Sequence, residues 1–116
     1  MIMMFGCVGE SLATRPPEWI SSMHKLMQEI DTELREAGEL VDGRPLVDPR
    51  QATTVRFRNG APVSTDGPLA EVKESLAGYW IVEVSEERAV EIASRVVAFT
   101  EHPMEVRRIM DEPAQP

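Results

Sequence analysis

The groups in this chain best placed to move protons are Asp66, which ends a predicted strand, and His24, which lies within a helical stretch. Asp66 is followed by Gly67 and Pro68. In such a corner the carboxylate can simply cap the turn by accepting backbone N–H groups two residues on. Alternatively it stands at a cleft mouth as a general base or ligand acceptor, with Gly67 permitting a close backbone approach. Glu71, Lys73 and Glu74 just beyond are either a solvated loop or a source of charge for the same cleft. His24 sits ~100° around its helix from the centre of the apolar stripe, at the border between core and solvent. From there the ring either reaches a cleft or turns to bulk water. Asp31 shares that flank but lies seven residues on, beyond direct hydrogen-bond reach. His102, before Pro103, reads as a loop residue. Cys7 sits in an apolar run and reads as a small buried hydrophobe rather than a nucleophile. The two histidines are 78 positions apart and no H-E-x-x-H, P-loop, G-x-G-x-x-G or G-x-S-x-G motif occurs, so neither a metal nor a cofactor is expected.

These groups must be held by regular elements. Met1 to Val8 reads as a first strand. Pro16 and Pro17 can open a helix, because the first turn does not need their missing N–H groups. Trp19, Ile20, Met23, Leu26, Met27, Ile30, Leu34 and Ala37 then recur every three or four residues, and Gly38 stops the helix. Leu40 to Val47 is a short strand leading into a loop through Pro49. Thr53 to Arg58 alternates, Asn59 and Gly60 suit a tight hairpin, and Ala61 to Thr65 returns, with Pro62 requiring an edge or an outward position. Ala77 to Val84 is a strand apolar on both faces, so both should be covered. Its Tyr79 and Trp80 alternate, one ring packing under the helices and the other pointing away; core packing or ligand contact is open to each. Ser85 caps a second helix with the stripe Ala89, Val90, Ile92, Ala93, Val96 and Val97, ending near Ala98. A last strand spans Met104 to Met110. The order predicts an α+β fold with two helices on one face of an antiparallel sheet. Nothing in the chain is left to cover the other face, which a second copy could do.

Composition limits the partners. A chain of 116 residues, 42% apolar and 28% charged, is a single domain, taken as 1–111 with a flexible tail at 112–116. Its core is thin for its size, so association is favoured. A net charge of −8 repels phosphate backbones and anionic membranes, so neither nucleic acid nor membrane is expected as a partner. The single cysteine suits a reducing cytoplasm. The apolar N-terminus lacks the basic residues and the length of a signal, and no 18-residue apolar run occurs.

The stretch Thr65-Asp66-Gly67-Pro68-Leu69-Ala70-Glu71-Val72-Lys73-Glu74, followed by Leu76, Gly78 and Tyr79, resembles the signature of the DGPF branch of the YCII-related family. The similarity extends to Glu33 to Gly38 with Leu40 and Val41, to the Asn59-Gly60 turn, and to Glu105-Val106-Arg107, and so covers nearly the whole chain. The resemblance implies a ferredoxin-like fold paired into a dimeric α+β barrel with a cleft at each end. It implies less about activity. Most members have no established reaction, some occur beside extracytoplasmic-function sigma factors, and at least one relative removes chloride from a hydroxylated aromatic ring. A helix histidine with an aspartate nearby is the family's proposed acid–base pair. This chain departs from the pattern: Leu69 replaces the phenylalanine, Val72 the threonine, and Met27 stands where the histidine or tyrosine would align.

Two functions are therefore expected. One is a small enzyme using Asp66 and His24 for acid–base chemistry on a small molecule in a homodimer's clefts, with Gly67, Pro68, Glu71, Lys73 and Tyr79 as ligand contacts. The other is a non-catalytic ligand-binding or regulatory module associated with a sigma factor.

Overall fold

The structure, a computed structural model, describes residues 1–6, 15–71 and 74–111. Cys7, Val72, Lys73 and the 112–116 tail, about which the sequence raised expectations, lie outside the described residues. The elements run β1 (Ile2–Phe5), α1 (Pro17–Glu36), β2 (Leu40–Pro45), a 3-10 turn (Pro49–Gln51), β3 (Thr53–Arg58), β4 (Ala61–Asp66), β5 (Leu76–Val82), α2 (Glu86–Thr100) and β6 (Met104–Val106). β2, β5, β1 and β6 form one antiparallel sheet in that order. This is the ferredoxin-like β-α-β-β-α-β arrangement. The β3–β4 hairpin is inserted between its second and third strands as a separate two-stranded sheet.

Local chemistry explains the boundaries. Pro17 occupies the first turn of α1, and a Schellman closure ends the helix: Gly38, at φ +70°, donates to Arg35 O at 3.1 Å and Glu39 donates to Leu34 O at 2.9 Å. Ala37 is the exposed C-cap rather than part of the buried stripe. Asn59 and Gly60 both take positive φ, 51° and 78°, as a twisted two-residue hairpin requires. The hydroxyl of Ser85 accepts from Arg88 N at 3.1 Å and starts α2.

Several expected ends shift, β5 among them, which spans Leu76–Val82 rather than Ala77 to Val84. α2 runs to Thr100 rather than Ala98, because Phe99 stacks on Trp19 with ring centroids 5.2 Å apart and Thr100 is buried. Glu101 then turns left-handed, with Pro103 disfavouring helix at His102. The last strand stops at Val106 instead of Met110, because its neighbour β1 begins at Ile2, which pairs with Val106. Arg107 makes two further bonds, its N–H donating to Met1 O at 2.8 Å and its carbonyl accepting from the Met1 amino group at 2.6 Å.

Both helices cover one face of the sheet. Ile2, Ile30, Leu34, Ile92 and Val96 are fully buried between them, and Met4, Leu40, Trp80, Val82, Met104 and Val106 pack against that core. The opposite face carries Met3, Tyr79 and Ile81, bordered by Glu105, Arg44 and Asp42. Among the described residues no helix lies on that face, where Met3 is buried and Tyr79 and Ile81 are half-buried. Among the described residues no helix is long and apolar enough to cross a membrane.

Arg88 clamps the helices. Its guanidinium donates to Glu39 Oε2 at 3.2 Å and Oε1 at 3.1 Å, to Glu33 Oε2 at 3.1 Å and to Glu91 Oε1 at 3.0 Å, while Arg95 reaches the same Glu33 oxygen at 2.6 Å. Arg88→Met keeps the aliphatic stem and removes the fork, so it should cost ~1–2 kcal/mol in urea unfolding, less at high salt. The hydrogen bond from Arg95, then that from Arg88, hold the Glu33 carboxyl below the ordinary glutamate value of 4.5. A lowered folded-state value means that the stabilisation is complete above 4.5 and fades as acid titrates Glu33 through its lowered value. Glu33→Gln should flatten the acid limb of stability against pH, and an unchanged limb would show that the pair contributes nothing.

Candidate functional site

One end of the helix-covered face is not closed. The middle of α1, Met23 to Thr32, spans it as a roof, leaving a cleft of about 600 Å³, a size suited to a small ligand. Met23, His24, Met27 and Asp31 line the helix wall. Met4, Gly43, Trp80 and Met104 line the sheet wall, one residue from each core strand. The walls are mainly apolar, and four of these residues are methionines, whose flexible thioethers adapt to ligand shape and favour aromatic contacts. A β-carbon on Gly43 would lie 2.4 Å from Trp80 Cδ1, so the missing side chain is what lets the indole rest against β2.

The polar lining is His24, Gln28, Asp31 and Thr32 from α1 and Arg44 from β2. His24 is exposed, and among the described residues its imidazole has no hydrogen-bond or ion-pair partner, leaving both ring nitrogens available. Asp31 lines the same cleft, but its carboxylate is taken by Arg35 Nε at 2.7 Å, one turn on. No direct His–Asp dyad therefore forms. Among the described residues no three His, Cys, Asp or Glu side chains gather to hold a metal ion.

The remaining candidates are placed elsewhere, Tyr79 excepted. Asp66 ends β4 opposite Thr53 and is exposed, and among the described residues its carboxylate accepts no hydrogen bond. The expected turn cap is supplied differently. Gly67, at φ +97°, donates to Ala52 O at 2.8 Å, and Thr54 Oγ1 donates to Gly67 O at 2.7 Å. Asp66, Gly67, Pro68 and Glu71 do not line this cleft. Tyr79 borders it through the start of β5, while its ring lies on the opposite face of the sheet and its hydroxyl donates to Asp42 Oδ2 at 3.1 Å. That bond, with burial and the Asp42 charge, holds the phenol pKa above its ordinary value of 10.0 and keeps the proton on Tyr79. Trp80 packs on the helix side, so the expected alternation holds. His102 is an exposed loop residue whose backbone N–H donates to Thr100 Oγ1 at 3.3 Å.

Sequence reasoning did not single out Gly43, Met4 or Met104. Gly43 alone left a local signal, since an isolated glycine within a strand marks a close approach. Met4 and Met104 reach the cleft only because β1 pairs with both β5 and β6, a non-local fact.

No curated protein is similar enough to the chain to be matched. The family model of the YCII-related domain matches residues 11–113, which include the roofing helix, the hairpin and every strand of the cleft floor except β1. With nearly its whole length matched, the chain belongs to the YCII-related family.

Proposed function

We propose that the cleft under α1 binds a small, largely apolar molecule carrying one polar group, and that His24 at its rim takes or gives a proton to that group. The observation carrying this is an unpartnered imidazole at the edge of a mainly apolar cleft, which Gln28, Asp31, Thr32 and Arg44 also line. An aromatic or carbonyl-bearing ligand suits the methionine and Trp80 walls. Asp66, away from these walls, is not needed for that step. The protein is assigned on its Asp66-Gly67-Pro68 stretch to the DGPF branch, and to the cytoplasm on its single cysteine. It acts as a homodimer whose sheet faces, with half-buried Tyr79 and Ile81, close over one another.

A second function, ligand binding without chemistry in a regulatory module beside a sigma factor, is favoured by one feature. Asp31 is held by Arg35 rather than by His24, so this carboxylate does not orient the imidazole.

The test uses Trp80 as a reporter in a Trp19→Phe background and screens small ring compounds for saturable quenching. Binders should lose at least about tenfold in affinity in His24→Gln, the loss of one hydrogen bond to a charged group. Filling the cleft with Met27→Trp should abolish binding. Binders indifferent to both changes would overturn the site. Binding retained without turnover of any ligand would favour the regulatory module.

A further inference from the structure

We infer that the cleft under α1 is also a site for a soft monovalent metal ion, copper(I), held by the thioethers of Met4, Met23, Met27 and Met104 with the imidazole of His24 at the edge. This occupant is independent of the organic ligand proposed above and goes beyond it. The methionines are not spread through the fold as packing filler. Four of the chain's seven line this one cleft, where Ile2 is the only branched aliphatic side chain. The adjoining buried cluster is built from isoleucine, leucine, valine and alanine, with no methionine among its fully enclosed members.

The backbone places two thioether pairs on facing walls. Met23 and Met27 are one turn apart on α1, with β-carbons about 5–6 Å apart. Met4 and Met104 are direct partners across β1 and β6, about 4.5–5.5 Å apart on the side of the sheet that packs under the helices. On its other flank Met4 pairs with Gly78 of β5, whose missing side chain leaves the thioether room. Three rotatable bonds then let each methionine aim its sulfur.

Donor type selects the ion. Thioethers are soft, neutral ligands that favour copper(I), whereas zinc takes thiolate, imidazole or carboxylate and calcium and magnesium take oxygen. The clusters of His, Cys, Asp and Glu missing among the described residues are those of zinc and the harder ions. Copper(I) has a filled d shell and imposes no fixed geometry, so adjustable donors suit it. The His24 imidazole, unpartnered among the described residues, supplies a nitrogen, and the Trp80 indole on the sheet wall adds a π system that attracts cations. A single positive charge is the least costly to bring into a mainly apolar space, and a chain of −8 draws it in.

Silver(I), a redox-inert ion of the same charge and softness, tests this in chloride-free buffer. The full chain carries Cys7→Ser, which removes the competing thiol, and carbon-13 methyl labels on its methionines. Silver should bind one to one, shifting the methyl signals of Met4, Met23, Met27 and Met104 together and leaving those of Met1, Met3 and Met110. Met27→Leu and Met104→Leu conserve volume and apolarity, so with unchanged circular dichroism each should raise the silver dissociation constant at least about tenfold. Met3→Leu, on the opposite face of the sheet, should leave it unchanged. Copper(I) delivered from a chelator under reducing conditions should displace the silver, and equimolar zinc(II) should not. Shifts spread evenly over all seven methionines, wild-type affinity in both leucine variants of the cleft, or displacement by zinc would overturn the metal site. Failure of silver to bind a protein that still takes ring compounds would overturn this inference alone. Silver binding without any ring compound would uphold it and remove the organic ligand.

Discussion

Leu34→Ala should lower the free energy of unfolding by about 3 kcal/mol, within the usual range of ~2–5 for a leucine fully removed from solvent. Leu34 is 0% exposed on α1 and belongs to the same core as Ile2, Ile30 and Ile92, so its loss opens a dry gap where both helices meet the sheet. The C-cap bond from Glu39 to the Leu34 carbonyl is backbone and survives the change, so the loss reports packing alone. Against a total of ~5–15 kcal/mol for a domain of ordinary stability, this is a large fraction. Val41→Ala, at a position 59% exposed, should stay within ~0.5 kcal/mol. Urea unfolding with an unchanged denaturant slope would show both. A loss under about 1 kcal/mol at Leu34 would mean that the helices repack around the gap.

What was legible in the sequence follows from the range of the signal. The limits of α1 are written in Pro17 and Gly38, the hairpin in Asn59-Gly60 and the start of α2 in Ser85, each acting within a few residues of itself. The end of β6 is not local: the segment after Val106 still contains Ile109 and Met110, yet the pairing with β1 ends at Ile2–Val106 and the Met1–Arg107 bonds. The detachment of the hairpin was equally invisible, since its alternating pattern is the same whether it joins the main sheet or stands apart.

The site divides the same way. Helical periodicity puts His24 at the stripe's border, which is where the cleft opens. The Asp66-Gly67-Pro68 corner drew the eye because its residue types suit a cleft mouth. Its place at the foot of the hairpin depends on β3–β4 pairing and on the Gly67 bonds to Ala52 and Thr54, contacts made between separated stretches of chain. Residue type marks which groups can do chemistry, whereas strand order decides which of them meet.

Gly43 joins the cleft to the stability of the fold, and Gly43→Ala should cost about 1–3 kcal/mol, the scale of one group forced into a packed site. No left-handed backbone is involved there; the cost is steric. The new methyl would stand 2.4 Å from Trp80 Cδ1 and 3.3 Å from the Tyr79 carbonyl, and an indole has no flexible end to swing aside. Trp80 must then tilt into the cleft or lift β2. Either movement should shift its fluorescence and near-ultraviolet dichroism in the Trp19→Phe background, and should weaken any ligand bound in the cleft. Gly60→Ala provides the contrast. Its position is open but left-handed, at φ +78°, so it should destabilise the hairpin by ~1 kcal/mol through backbone strain and leave the Trp80 signal untouched. A Gly43→Ala protein with wild-type stability and wild-type Trp80 emission would show that the indole does not rest on β2, and the sheet wall of the cleft would have to be redrawn without it.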